Sequence, residues 1–114
     1  ATYMSGFNFF VFFKKGFLMV VQEPTEISEA EGENLTLNCS YIPQSNVTYV
    51  VLTWIRYSSH RNNTSTLLTF SQGNRNVTTT IKGRFKGFLD PLKSWSSLTI
   101  SHLQLNDSGI YYCE

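Results

Sequence analysis

Short runs of alternating apolar and polar residues recur through most of the chain. Leu35, Leu37 and Cys39 alternate with polar Thr36 and Asn38, which predicts a strand with one buried face. Similar runs recur roughly every 8–12 residues, separated by Gly, Asn, Ser and Pro, a spacing typical of an all-β sandwich or barrel. They occupy residues 50–54, 66–70, 77–81, 84–89, 96–101 and 110–113.

Composition limits the classes of protein to which the chain can belong. The 114 residues are 41% hydrophobic and 15% charged, which predicts one globular domain. A net charge of +1 gives no basic footprint for nucleic acid. The N-terminal segment is rich in Phe, but its apolar runs at residues 9–13 and 17–21 are split by Lys14 and Lys15. A membrane span needs about 20 apolar residues, so none is expected.

The asparagines point to the secretory pathway. N-x-S/T sequons, which are acceptors for N-linked glycans, are frequent for a chain of this length. An oxidising compartment favours a Cys39–Cys113 disulfide over two free thiols. We therefore predict an extracellular chain, secreted or at the cell surface, with six candidate sites for N-linked glycans. Asn62 and Asn63 overlap, so only one of these two is expected to be used, and the seventh sequon, at Asn106, is set aside because it lies in a tight turn before Asp107. The predicted sites are Asn34, Asn38, Asn46, Asn62, Asn63 and Asn76.

The most specific pattern lies around the two cysteines. Cys39 is followed by Trp54 and then by the run Asp-Ser-Gly-Ile-Tyr-Tyr-Cys at residues 107–113. This pattern resembles the V-set of the immunoglobulin superfamily, whose fold is a sandwich of two antiparallel β-sheets. Residues 22–114 carry the resemblance. The 74-residue cysteine separation favours the V-type over the shorter constant type.

The resemblance implies roles for the structural residues. Cys39 and Cys113 would bridge the two sheets, and Trp54 would pack on the disulfide. Tyr111, two residues before the second cysteine, matches the tyrosine corner. Arg84 lies 23 residues before Asp107, the spacing at which V-set domains place a buried ion pair.

One departure from the family is the last strand, strand G, which V-set domains carry after the second cysteine. The sequence reaches only Glu114, whereas residues 13–21 resemble a strand G motif. We therefore predict two parts: a third-loop and G-strand-like segment at residues 1–21, and strands A to F at residues 22–114.

Residues 9–21 would then supply strand G. The joint after Val21 looks too short to carry the chain back up the sandwich, which favours donation to a neighbouring domain, although a permuted domain stays open. A homo-oligomer, a tandem array and a plain N-terminal extension are the alternatives.

The sequence predicts recognition rather than chemistry. His60 and His102 lack the spacing of metal ligands, no nucleophile motif is present, and neither a cofactor nor an enzymatic activity is expected. V-set receptors bind protein partners or like domains through one sheet face and its loops. On that resemblance the candidate contacts are Arg56, Tyr57, Leu68, Phe70, Tyr112, Tyr3 and Phe7.

The expected function is extracellular protein–protein recognition by a domain of an immune-type or cell-adhesion receptor. The alternative is a structural building block that assembles by exchange of strand G or as a tandem V-set array.

Overall fold

The computed structural model describes residues 19–23, 28–42, 50–58, 63–72 and 77–113. Within these ranges the chain forms eight strands and one short 3₁₀ turn at Leu105–Asp107. The strands are β1 (Met19–Glu23), β2 (Leu35–Ile42), β3 (Val50–Ser58), β4 (Asn63–Gln72), β5 (Thr78–Lys82), β6 (Phe85–Asp90), β7 (Trp95–Ile100) and β8 (Ile110–Cys113).

The strands form two antiparallel sheets. One sheet has five strands in the order β1-β2-β7-β6-β5, and the other has three in the order β4-β3-β8. Each sheet turns one face toward the other, since alternate side chains of a strand point to opposite faces. The predicted all-β sandwich of two antiparallel sheets is therefore confirmed.

Alternating side chains of both sheets build one core. Leu37 of β2 and Leu98 of β7 face Leu52 and Trp54 of β3, and all four are fully buried. The indole Nε1–H of Trp54 donates to Ser96 Oγ at 3.0 Å, and that hydroxyl donates to the Phe88 carbonyl at 2.6 Å. The buried indole N–H is thus satisfied by a relay that crosses between the sheets.

A disulfide joins the sheets through this core. Cys39 of β2 is bonded to Cys113 of β8, with 6.6 Å between their Cα atoms. Closing a loop of this length removes chain entropy from the unfolded state, and the chain-entropy model gives about 4.5 kcal/mol of stabilisation.

The pairing of β1 corrects the predicted assignment of Met19–Val21 to strand G. These residues lie in β1, which runs across the predicted boundary at residue 21 and pairs with β2 from Met19–Ile42 to Glu23–Asn38. They take the first position of the five-stranded sheet and do not extend the sheet that contains β8. Residues 9–18 lie outside the described residues, so their part in the predicted strand exchange stays a prediction.

Gly87 of β6 permits a close approach between the sheets. A Cβ atom placed there would lie 2.5 Å from Leu68 Cδ1 and 2.9 Å from Phe70 Cζ, both buried on β4. Two side chains of the opposite sheet therefore occupy the space that a larger residue would need.

We predict that Gly87→Ala lowers the free energy of unfolding by about 1–3 kcal/mol, because the added methyl group overpacks this contact. Urea denaturation measures the loss. Lys86→Ala, on the exposed side of the same strand, is the control and should change stability by less than about 0.5 kcal/mol. Equal stability of Gly87→Ala and the native chain would contradict this close packing between the sheets.

Candidate functional site: the outer face of the three-stranded sheet

An ion pair between a partly exposed arginine and a buried carboxylate closes the sandwich at one end and fixes the strands that carry the candidate site. Gly83, with φ of +58°, and Arg84 form the turn between β5 and β6. From this turn the Arg84 guanidinium makes two bonds to Asp107, Nη1 to Oδ2 at 2.7 Å and Nη2 to Oδ1 at 2.9 Å. Asp107 is only 2% exposed, so its charge depends on these partners.

The turn before β8 is organised around the same carboxylate. The backbone N–H of Gln104 donates to Asp107 Oδ2 at 2.9 Å, and the Tyr111 hydroxyl donates to the Asp107 carbonyl. Burial raises the pKa of Tyr111 to about 12, so its hydroxyl stays protonated and able to donate. The geometry agrees with the ion pair and the tyrosine corner predicted for Arg84, Asp107 and Tyr111.

The pKa of Asp107 reflects opposing influences. Burial, the largest single one, acts to raise it, whereas the hydrogen bonds from Arg84 and from the Gln104 N–H, with the positive charges of Arg84 and Arg56, act to lower it. The lowering influences prevail, so the carboxyl is more acidic in the folded chain than in a peptide. The bond to Asp107 in turn raises the pKa of Arg84.

The outer face of the three-stranded sheet is the candidate binding surface. On β3, Val51, Ile55 and Tyr57 alternate with core residues and therefore point outward. Tyr112 of β8 is the register partner of Ile55 and shares this face. Val51 is 49% exposed, and Tyr57 and Tyr112 are partly exposed, whereas Ile55 on the same side of β3 is only 8% exposed. We call Val51, Tyr57 and Tyr112 the outer patch.

Leu68 and Phe70 do not lie on this face, and their prediction as partner contacts was wrong. They are 4% and 2% exposed and belong to the core cluster. The reason is a β-bulge: Trp54 pairs with Leu68 and Ile55 pairs with Thr66, which leaves Leu67 without a register partner. The extra residue shifts the alternation of β4. Residues 64 and 66, before the bulge, therefore face outward, whereas residues 68 and 70, after it, face inward.

Arg56 also does not lie on the sheet face where it was predicted to contact a partner. It is the register partner of Tyr111, on the inner side of β3. Its Nη1 donates to the Asn106 carbonyl at 3.2 Å and lies 4.0 Å from Asp107 Oδ1. Arg56 therefore supports the buried carboxylate instead of the outer patch.

Tyr57 and Tyr112 lie on the predicted face, and their contact with a partner stays a prediction. Sequence reasoning missed Val51, which alternates with the core residues Leu52 and Trp54 and could have been identified as outward-facing on that ground. Tyr3 and Phe7 lie outside the described residues.

Three of the six predicted glycan acceptors lie among the described residues. Asn38 points outward from β2, and Asn34 lies just before it, where its Oδ1 accepts the His102 N–H at 3.1 Å. Asn63 begins β4. Asn46, Asn62 and Asn76 lie outside the described residues, and occupancy of every sequon stays a prediction.

Comparison with known proteins identifies the class. The family model of the immunoglobulin V-set domain matches residues 22–114, and the chain belongs to this family. V-set domains of the T cell receptor and immunoglobulin type are non-enzymatic recognition modules, which confirms the prediction that the chain is not an enzyme. In the described part of the chain, no helix has the length and apolar character to cross a membrane.

Several proteins of this class are similar along most of the chain. T cell receptor alpha variable 1-1 of Homo sapiens is 31% identical, with 82% of this chain and 79% of that protein aligned. T cell receptor alpha variable 17 of Homo sapiens is 35% identical, over 81% of this chain and 75% of that protein. V-set and immunoglobulin domain-containing protein 1 of Xenopus laevis is 30% identical over 84% of this chain, which spans only 30% of that protein.

We predict that Asp107→Asn lowers the free energy of unfolding by about 3 kcal/mol at neutral pH, because Arg84 then loses its charged partner. The folded-state pKa of Asp107 is depressed, so its ionised form stabilises the fold above the unfolded-state pKa of about 3.9. That stabilisation is lost as the pH falls through the folded-state pKa. The gap between the native chain and the variant should therefore shrink on acidification.

Urea denaturation at a series of pH values measures this gap. Lys82→Ala, an exposed lysine near the same turn, is the control and should stay within about 0.5 kcal/mol of the native chain at each pH. A gap that stays constant down to the lowest pH at which the chain is folded would show that the carboxylate charge is not the cause.

Proposed function

We propose that the chain is an extracellular protein-recognition domain of an immune-type or adhesion receptor, and that the outer patch contacts its protein partner. The observation that carries the proposal is a neutral surface of aliphatic and tyrosine side chains on a rigid sheet. Protein interfaces are enriched in aromatic residues at their centre and depleted in charge there. The outer patch has this composition.

The sheet behind the patch is well suited to recognition. Trp54, between Val51 and Tyr57 on β3, is fully buried, and its register partner Cys113 belongs to the disulfide. The strand positions are therefore fixed before binding, and little conformational entropy is lost on association. Binding through side chains on such a scaffold needs no catalytic group, cofactor or metal.

The extracellular location rests on a separate argument. The Cys39–Cys113 disulfide suits an oxidising compartment, and the chain carries an unusual number of sequons. Relatives named as T cell receptor variable chains support the receptor class.

We predict that Val51→Asp weakens binding to a protein partner at least about tenfold, equivalent to about 1.4 kcal/mol, because the interface would have to desolvate a new charge. The probe is a panel of purified V-set ectodomains, with affinity measured by surface plasmon resonance. Ile81→Asp is the matched control, because Ile81 is 70% exposed on the other sheet. Equal losses for the two variants, or binding by no member of the panel, would contradict the proposal.

The structural alternative, assembly by strand exchange, is now confined to residues 9–18, since Met19–Val21 pair with β2. It predicts an assembly whose solution mass falls on dilution, and loss of that assembly when residues 1–18 are deleted. Sedimentation equilibrium on the native and shortened chains distinguishes it from a monomeric recognition domain. A native chain that is monomeric at all concentrations would exclude exchange.

A further inference from the structure

The outer face of the five-stranded sheet carries two aromatic rings on neighbouring strands. Phe88 of β6 and Trp95 of β7 are partly exposed, with ring centroids 5.2 Å apart and planes tilted by 59°. They flank a shallow concavity of about 350 Å³, also lined by Lys86, Ser97 and Thr99. We call Phe88 and Trp95 the aromatic ledge.

The register places a sequon beside this ledge. Asn38 of β2 is the partner of Ser97 on β7, and Ser97 is the partner of Phe88 on β6. Leu37 and Cys39 are core residues, so the Asn38 side chain points outward, on the same sheet face as Ser97 and Phe88. Strands lie about 4.8 Å apart, which puts the Asn38 backbone about 10 Å from that of Phe88.

Trp95 is closer still to the sequon. It is the register partner of Ser40, which supplies the sequon hydroxyl, and it is the diagonal neighbour of Asn38. Diagonal pairs on one face are about 7–8 Å apart and within reach of long or aromatic side chains. A group attached to the Asn38 amide therefore extends over the ledge.

We propose that Asn38 carries an N-linked glycan whose first N-acetylglucosamine packs against the aromatic ledge. The proposal rests on the proposed function, because it requires the extracellular location. The C–H groups of a sugar ring are weakly positive and meet the negative face of an aromatic ring. The concavity is lined by hydroxyl groups and a single charged residue, Lys86, which suits a neutral sugar.

The modification is a group transfer from a lipid-diphosphate-linked oligosaccharide, catalysed by the cell's oligosaccharyltransferase. The Asn38 amide nitrogen forms a C–N bond to the anomeric carbon of the donor sugar. The C–O bond to the diphosphate breaks, the lipid diphosphate leaves with that electron pair, and the amide nitrogen loses one proton. Because Asn38 faces solvent in the folded chain, the product is compatible with the sandwich.

Two other described sequons, at Asn34 and Asn106, lack this setting. Asn34 lies before β2, and its side-chain oxygen accepts a hydrogen bond from the His102 backbone N–H at 3.1 Å. Asn106 precedes the buried Asp107, and its carbonyl accepts from Arg56. Asn38 thus has an aromatic surface within reach on its own sheet face, and its glycan would cover apolar area that is otherwise exposed.

The test uses the full chain directed through the secretory pathway of mammalian cells. Ser40→Ala removes the sequon and leaves Asn38 in place, whereas Ser40→Thr retains the sequon and is the matched control. Glycopeptide mass spectrometry reports occupancy of Asn38. Acrylamide quenching of tryptophan fluorescence reports coverage of the ledge, because Trp54 is fully buried and Trp95 is the accessible one of the two tryptophans.

We expect Asn38 to be occupied in the native chain and in Ser40→Thr, and quenching to increase only in Ser40→Ala. Trimming the native glycan to a single N-acetylglucosamine should leave quenching unchanged, whereas complete removal by an amidase should increase it. This second comparison starts from the native chain and needs no engineered variant, although the amidase converts Asn38 to aspartate, so it holds even if Ser40→Ala folds poorly.

Three outcomes would overturn the inference. A secreted chain glycosylated elsewhere but not at Asn38 would contradict it and leave the proposed function intact. Occupancy of Asn38 with equal quenching before and after complete removal would show that the sugar does not cover the ledge. A chain that enters the secretory pathway and carries no glycan at any sequon, or that is retained in the cell, would count against both proposals.

Discussion

A buried negative charge constrains the end of the sandwich from which β8 starts. The Asp107 carboxylate is nearly inaccessible to water, and an unpaired charge there would cost several kcal/mol. Its partners come from different parts of the chain: Arg84 in the turn before β6, and the Gln104 N–H in the turn before β8. Satisfying this one group therefore sets the position of both turns, and the Tyr111 hydroxyl ties β8 to the same residue.

The two outer faces of the sandwich differ in what they offer to the surroundings. The three-stranded sheet carries the outer patch of aliphatic and tyrosine side chains. The five-stranded sheet presents hydroxyl-bearing residues and the aromatic ledge next to the Asn38 sequon. A glycan on one sheet would make that face unavailable to a protein partner and leave the opposite face open. The proposed recognition and the proposed glycan site are thus compatible because they occupy different sheets.

Much of the fold and of its structural residues could be predicted from the sequence. Fixed spacings connect Cys39, Trp54, Arg84 and Asp107 to definite places in a V-set sandwich. The surface contacts were harder to predict, because strand alternation alone puts residues 66, 68 and 70 on one face. A single extra residue at Leu67 reverses that phase, and a bulge depends on the pairing of two strands instead of on one strand's own sequence. The same limit applies to Met19–Val21, whose apolar pattern suits either edge of the sandwich.

The bulge also connects the core with the candidate site. Leu68 and Phe70 point inward beyond it, where the missing side chain of Gly87 gives them room. Before the bulge, Thr66 and Thr64 of β4 are the register partners of Ile55 and Tyr57 and share their outward face. One irregularity in β4 thus lets the strand fill the core at one end and present polar hydroxyls beside the outer patch at the other. Because the core contacts are tight and Thr64 and Thr66 are exposed, substitutions at these threonines would change the surface beside the outer patch without disturbing the packing that holds the sheet in place.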